Sequence, residues 1–425
     1  MSPAVSLLVL VTVAAAEPVE AEAGARACVA FAGDVMLGRD LGPALAARPS
    51  ILEALPAVPL IANLEGAVAA APGSCSKQPR LCLDVDRAAL KSVAPRLLAV
   101  STENNHAGDW GEPGRTATRE LLASHGVAAV AAAAPVIVPL GARRLGLAAL
   151  DLSAGTPEVL ARRLEQARLY VAWLRVRVGL VAVLLHAGDE LVAAPTQLQE
   201  HTARVLRAWG AQLVVGGHTH VVQPMRCQAG GAVAFGLGNL LFDQEPASTH
   251  RGALLTCCVD GAAWECRDER VERAAVDPLA LTRSPGAFTC TGELAAQLPD
   301  GLAARVEVER LALALPFPAA GPGAFFALRR RVEPFDGEDA LRPTVFAVRG
   351  ERAVALWRGT ALAWPLVAAT VLDGERGLIC AIHRGDDFLR LDPENVGRRR
   401  VAYRWSGFGF DRASDLPVQA ACEAL

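Results

Sequence analysis

The sequence predicts an α/β protein, with a layered α/β domain over residues 28–275 and a small mostly-β module over residues 323–425. Three observations predict it. Between Cys28 and about Cys258, short apolar runs of strand length alternate with amphipathic stretches of helical length, the pattern of buried strands joined by helices. From Phe325 onward the runs are separated by turn signals (RGER, LDGERG, RGDD), which reads as all-β. The composition, 52% hydrophobic and 20% charged over 425 residues, is enough to build the cores of two or three domains and excludes a disordered or fibrous chain.

The elements follow in order. Ala4 to Ala16 is a short apolar run ending in Ala14-Ala15-Ala16, the small-residue pattern of a signal-peptidase site, so residues 1–16 are expected to be a signal peptide. No Lys or Arg precedes the run, and a buried N-terminal strand or helix, or an uncleaved anchor, are the other readings. The run is shorter than the roughly 20 residues that span a bilayer. Strands are expected at Cys28–Ala32, Val58–Ala62, Leu97–Ser101, Val127–Val130, Leu145–Leu150, Leu180–Leu185, Leu213–Val215, Val233–Phe235 and Ala253–Val259. Helices are expected at Gly114–His125, Pro157–Arg175 and Pro195–Trp209, each preceded by Pro or a small polar residue. Residues 276–322, punctuated by Pro and Gly, are expected to be a linker. The module then offers strands at Val345–Val348, Ala353–Trp357, Val367–Val371, Gly377–Ile382 and Arg400–Trp405. Its aromatics Trp357, Trp364, Trp405, Phe408 and Phe410 read as a small core. Its arginine runs at 329–331 and 398–400 read as a solvated face, although they could hold an anionic polymer.

Charge and cysteines narrow the setting. A net charge of −3 gives no global basic field, so nucleic acid is not an expected partner. Nearly all cations are arginine; lysine occurs only as Lys77 and Lys91, which reads as compositional bias. Ten cysteines, an even number, fit an oxidising compartment, so the chain is expected to be secreted, periplasmic or at the cell surface. Cys75 and Cys82 flank a polar loop, SKQPRL, and are the pair expected to form a disulfide. Adjacent Cys257 and Cys258 point to opposite faces of a strand and read as plain core.

Five polar clusters each follow a candidate strand: Gly33-Asp34; Asn63-Leu64-Glu65; Asn104-Asn105-His106 with Asp109; His186 to Glu190; and Gly217-His218-Thr219-His220. Singly, each has an ordinary explanation as a cap, a turn or a satisfied histidine. Together, carboxylates, amides and imidazoles at the ends of buried strands are a ligand set for a divalent cation. His125, His201, His250 and His383 have no such setting and read as structural.

The order of these clusters resembles the calcineurin-like metallophosphoesterase superfamily and, more closely, the CapA, or poly-γ-glutamate capsule synthesis (PGA_cap), family. The stretches that carry the resemblance are FAGDVMLGR (31–39), ANLEG (62–66), ENNHAGDWGEPGRTATRELLASHGV (103–127), HAGDE (186–190), GAQLVVGGHTHVVQP (210–224) and FGLGNLLFD (235–243). The resemblance implies a layered α-β-β-α domain. It also implies a metal set of Asp34, Glu65, Asn105, His186, His218 and His220, with Asp34 and His220 on one ion, Asn105, His186 and His218 on a second, and Glu65 near the bridging position. It makes His106 the general acid or transition-state donor, oriented by Asp109. Glu190 becomes a supporting or substrate-facing residue. The superfamily's Asp-x-His start is Asp34-Val35-Met36 here; methionine is a poor ligand for a hard cation, so one or two ions (Mn, Zn or Fe) are expected.

The resemblance further implies a metal-dependent γ-glutamyl hydrolase or transferase acting on poly-γ-glutamate or another anionic surface polymer, alongside a membrane-bound polymer-synthesis machinery. The competing expectations are a secreted metal-dependent phosphodiesterase or nucleotidase, and a non-catalytic polymer-binding surface protein.

Overall fold

The computed structural model describes residues 26–295 and 311–423, apart from residues 49, 70–74, 76, 78–80, 133, 229–230, 275–276, 278, 333–338, 350–351, 358–365, 385–397, 408 and 414. The expected signal peptide lies outside the described residues. Among those described, no helix is long and apolar enough to cross a membrane.

The first unit, which ends at Leu294, is built on two sheets. In the first sheet, β1 (Ala27–Val35), β2 (Leu60–Leu64), β3 (Leu97–Ser101) and β4 (Ala128–Val130) run parallel. The second sheet begins with β5 (Val136–Leu140), antiparallel to β6 (Arg143–Asp151). Strands β6, β7 (Leu180–His186) and β8 (Leu213–Gly217) are parallel, and β8 is followed by β9 (Met225–Gln228) and β10 (Gly231–Ala234). The chain then returns to the first sheet through β11 (Asn239–Leu241), which lies parallel to β1, and β12 (Arg251–Asp260), β13 (Ala263–Arg273) and β14 (Leu281–Glu293), an antiparallel edge.

The alternation of side chains along each strand decides the layers. In β1, Val29 and Phe31 enter the core between the sheets with Leu145, Leu147, Ala182, Leu184, Leu213 and Val215. Ala30 and Ala32 enter the outer core with residues of α1 (Leu41–Ala46), α2 (Ile51–Ala54), α3 (Arg87–Val93) and α4 (Gly111–Ser124). Helices α5 (Pro157–Arg175) and α6 (Gln197–Ala208) are the crossovers between the parallel strands of the second sheet. This is the α-β-β-α arrangement expected from the resemblance. Each fully buried Leu, Val or Phe in these layers contributes about 1.5–3 kcal/mol.

Two expectations are corrected. Residues 281–293 of the expected linker form β14, hydrogen-bonded to β13. Residues 311–316 form β15 (Leu311–Pro316) of the second unit. Prolines mark these segments because they sit on edges and at irregular pairings rather than in a connector: Pro285 lies beside the register shift of β14. Cys257 and Cys258 are not plain core either. They do face opposite sides of β12, but Cys258 is bonded to Cys28 on β1 and Cys257 to Cys266 on β13, each across directly paired positions with Cα atoms 4.0 Å apart. Cys227 on β9 is bonded to Cys290 on β14 and so ties the two sheets at one edge. The expected Cys75–Cys82 bond forms. With Cys380 bonded to Cys422 as well, all ten cysteines are paired, and the chain fits an oxidising, non-cytoplasmic compartment.

The second unit begins at Ala295 and also takes in Arg168–Gly179 and Arg204–Ala211. Its sheet runs β15, β16 (Ala324–Val332), β17 (Asp339–Arg349), β19 (Leu366–Asp373), β20 (Leu378–Arg384), β21 (Arg398–Trp405), β22 (Phe410–Arg412), with β18 (Arg352–Trp357) paired to β17. Phe317, Phe326, Trp357, Tyr403 and Phe410 fill its core, with Trp405 packed against them. Trp364 and Phe408 lie outside the described residues. His383 is buried and bonded to Tyr403 at 2.8 Å. Arg329 and Arg330 are exposed where β16 leaves the core.

Candidate metal centre

The site forms where parallel strands of both sheets end at their carboxyl edges, the place where such sheets bind ligands. Asp34 is the penultimate residue of β1, Asn63 lies in β2 with Glu65 just beyond it, and His186 ends β7. His218 and His220 follow β8, and Asn239 opens β11. Each strand carries apolar residues until it leaves the core, so its first polar side chain emerges at this edge.

Close backbone approach makes the cluster possible. A Cβ at Gly217 would lie 2.5 Å from Asp34 Oδ1. His218 and His220 take positive φ values of 86° and 57°, which turns both imidazoles back toward the sheet edge; bulky residues adopt this conformation only when their surroundings fix it.

Ligand atoms of Asp34, Glu65 and His220 lie within 4.8 Å of one another, and all three residues are buried. Asp34 accepts from Asn63 Nδ2 at 2.8 Å and from the His218 backbone N–H at 3.0 Å. His220 Nδ1 is 3.3 Å from Asp34 Oδ2, and its Nε2 is 3.8 Å from Glu65 Oε1. Burial alone would raise the Asp34 carboxyl, but its hydrogen bond to His220 and the surrounding imidazoles outweigh burial and hold it at about 2. Burial pushes Glu65 well above the usual carboxylate range, and the charge of Asp34 adds to this. His220, against the cost of its own burial, is raised to about 9 by Asp34.

The second half of the cluster is different. His186 Nδ1 is 3.3 Å from Asn63 Nδ2, which donates, so Nε2 carries the proton and donates to Asn105 Oδ1 at 2.9 Å. The His218 ring sits 4.7 Å from that of His186. Burial lowers both, His186 to about 3, so both are neutral. Asn104 Nδ2 ties Asn63 Oδ1 to the backbone of Leu64.

Above the carboxylates stands His106. Its Nδ1 is 2.7 Å from Asp109 Oδ2, and its Nε2 is 3.9 Å from Glu65 Oε1. Burial would raise Asp109, but His106, Lys77 and the Leu83 N–H together hold it below its usual value. Glu190 is exposed on the turn after β7, near enough for its charge to act on Glu65 and His218.

The structure therefore brings Asp34, Glu65 and His220 together and sets Asn105, His186 and His218 beside them, with Glu190 outside the contact network. Met36 faces away, buried in the outer core with its sulfur 3.0 Å from the Gly38 N–H. Sequence reasoning assigned no role to Asn239, which is 3.0 Å from His220 Nδ1, or to Lys77, which is 2.8 Å from Asp109 Oδ1. The first lay inside the quoted FGLGNLLFD stretch; the second carried only its rarity among 42 basic residues.

The donor set fits a divalent cation on a specific observation. Both Glu65 oxygens and His218 Nδ1 are buried with no hydrogen-bond partner. Buried carboxylates without partners are costly, and a cation between Glu65, Asp34 and His220 would satisfy them. Hard oxygen donors mixed with imidazole suit a first-row divalent metal.

The chain is similar to several known proteins. The family model described as "Bacterial capsule synthesis protein PGA_cap" matches residues 28–244. The chain is 27% identical over 172 residues to the PGA biosynthesis protein CapA of Bacillus subtilis (strain 168), covering 37% of this chain and 45% of that protein. It is 32% identical over 99 residues to the capsule biosynthesis protein CapA of Bacillus anthracis, covering 23% of each. The chain thus spans less than half the length of the curated relatives it matches. A solved phosphatase from Mycoplasma pneumoniae is 12% identical, with a TM-score of 0.35, covering 64% of this chain and 95% of that one. With more than half its length matched, strand-end cluster included, the chain belongs to the bacterial capsule synthesis protein (PGA_cap) family.

Proposed function

We propose that this chain is a metal-dependent hydrolase or transferase of γ-glutamyl amide bonds, acting on poly-γ-glutamate or a similar anionic surface polymer outside the cytoplasm. The observation that carries the reading is the buried, unpartnered Glu65 carboxylate beside Asp34 and His220, with His106 directly above it. Asp34, Glu65 and His220 would hold one divalent ion, and Asn105, His186 and His218 would support a second. A bound cation supplies Lewis-acid polarisation of the substrate oxygen and eases deprotonation of an attacking water. Asp109 accepts from His106 Nδ1 and so fixes the ring, leaving the Nε2 lone pair on the Glu65 side, where it would take the proton given up by the attacking water and pass it to the departing nitrogen. His218, kept neutral by burial, offers the lone pair of an unpartnered Nδ1, and His186 would join it only by giving up the Nε2 proton that faces Asn105. Such residues suit an amide or a phosphate ester; the curated relatives' names favour the polymer.

The test is turnover by the manganese-loaded full chain of γ-glutamyl polymer and, separately, of p-nitrophenyl phosphate esters. Release of γ-glutamyl fragments or transfer products, abolished by His106→Ala, supports the proposal. Turnover of the phosphate esters alone would replace it with the phosphodiesterase reading. Polymer binding without turnover would replace it with a binding role.

A further inference from the structure

We propose that Lys77, tethered by the Cys75–Cys82 disulfide, is a positioning residue that sets the tautomer and orientation of His106; this rests on the role given to His106 above. The Asp109 side chain is 1% exposed and divides its two oxygens between different stretches of chain. Oδ2 receives His106 Nδ1 at 2.7 Å and the Leu83 N–H at 2.9 Å. Oδ1 forms an ion pair with Lys77 Nζ at 2.8 Å, and the same ammonium donates to the Asn105 carbonyl at 3.0 Å. Lys77 Nζ and His106 Nδ1, 3.4 Å apart, thus converge on the two oxygens of one carboxylate.

With Oδ1 held by the ammonium, the carboxylate has no free rotation with which to abandon His106. A carboxylate facing Nδ1 keeps the proton there and turns Nε2 toward Glu65. The ammonium is a compact cation with three donors, so it reaches Oδ1 and a neighbouring carbonyl at once; a planar guanidinium fork matches that arrangement less well. In a chain that otherwise uses arginine almost throughout, a lysine here has a geometric reason.

The disulfide supplies the tether from both ends. Lys77 lies two residues beyond Cys75, so its Cα stays within roughly 7 Å of the anchor. Cys82 immediately precedes Leu83, whose N–H holds the other oxygen of the same carboxylate. Reduction would leave Lys77 without that anchor.

The experiment reads the imidazole directly and needs no substrate. The full chain is labelled with 15N-histidine, His106 is assigned by loss of its signals in His106→Gln, and the ring nitrogen shifts are compared at neutral pH in wild type, Lys77→Met and Cys75→Ser/Cys82→Ser. Wild type is expected to show the Nδ1–H form. Lys77→Met should shift His106 toward a tautomer mixture while metal content and circular dichroism stay unchanged, with the double variant shifting the same way by less. On any substrate the chain turns over, Lys77→Met should lower kcat by about tenfold with little change in KM, and Lys77→Arg should restore only part. His106 shifts in Lys77→Met equal to wild type, or shifts that change only together with loss of fold or metal, would overturn the inference. Absence of all turnover would sink the proposed function and leave the tautomer comparison to decide this one.

Discussion

The two halves of the strand-end cluster solve opposite electrostatic problems. The Asp34–Glu65–His220 half holds two buried carboxylates and one imidazole, and these groups favour binding protons: His220 is raised to about 9 beside Asp34, and Glu65 is pushed toward its neutral form. The Asn105–His186–His218 half has no carboxylate among its three members, and burial, helped by the neighbouring imidazoles, outweighs Asp34 and keeps its imidazoles neutral, His186 at about 3. One half therefore offers charge that a cation can replace protons to reach; the other offers lone pairs at little electrostatic cost. This contrast predicts that the carboxylate half dominates affinity and that the imidazole half governs how many ions bind.

The largest effect should come from Asp34→Asn or Glu65→Gln. Replacing groups that merely support metal ligands costs about 10–100-fold, so losing either carboxylate should lower metal affinity by more than about 100-fold, read by elemental analysis after dialysis. Retention of a full equivalent by Glu65→Gln would break the comparison. His106→Ala should come next, slowing turnover by about 100-fold to 10,000-fold while leaving the metal content at the wild-type level; a parallel fall in metal would place His106 among the ligands. His218→Ala should be milder, removing at most one equivalent and sparing the first. Emptying of both positions would mean that the halves act as one centre.

The smallest effect is on stability in chelator. The Glu65 carboxyl is raised above its unfolded value, so its contribution is fully present below the ordinary carboxylate range and is lost as pH rises through the raised value. In chelator this loss is summed with the gain that His186 and His218, lowered by burial, make as pH rises through the ordinary imidazole range, so the readout is the difference between proteins: Glu65→Gln should remove the downward contribution and make the slope of stability with pH more positive in urea unfolding. An identical slope in the variant would show that Glu65 ionises freely.

Much of this site was legible in the sequence, for a physical reason. A strand buried on both faces reads as a continuous apolar run, and the first polar residue after it must sit at the sheet edge; Asp34, Asn63, His186 and His218 were found that way. Such a signal ends with the strand. Lys77 lies in a loop with no periodicity, and Asn239 reaches His220 only because β11 pairs with β1 across some two hundred residues. The position of Met36 also escaped: the register shift between Asp34 and Val35 turns the chain so that the sulfur enters the outer core rather than the site. Glu190, adjacent in sequence to the His186 turn, is exposed because that turn leads out to solvent.

The cysteines divide along the same line. The Cys75–Cys82 bond closes a local loop and could be read from the residues between its ends. The bonds Cys28–Cys258 and Cys257–Cys266 depend on the register of β1, β12 and β13, and Cys227–Cys290 on two sheets meeting at an edge. Local periodicity and local polarity, which arise from side-chain alternation and burial, sufficed by themselves to determine the α/β class, the β module and the identity of most site residues. Tertiary structure alone decided which of those residues meet, that β14 belongs to the first sheet, and that Lys77 and His106 share one carboxylate, because each depends on strand register and close approach between segments far apart in the chain.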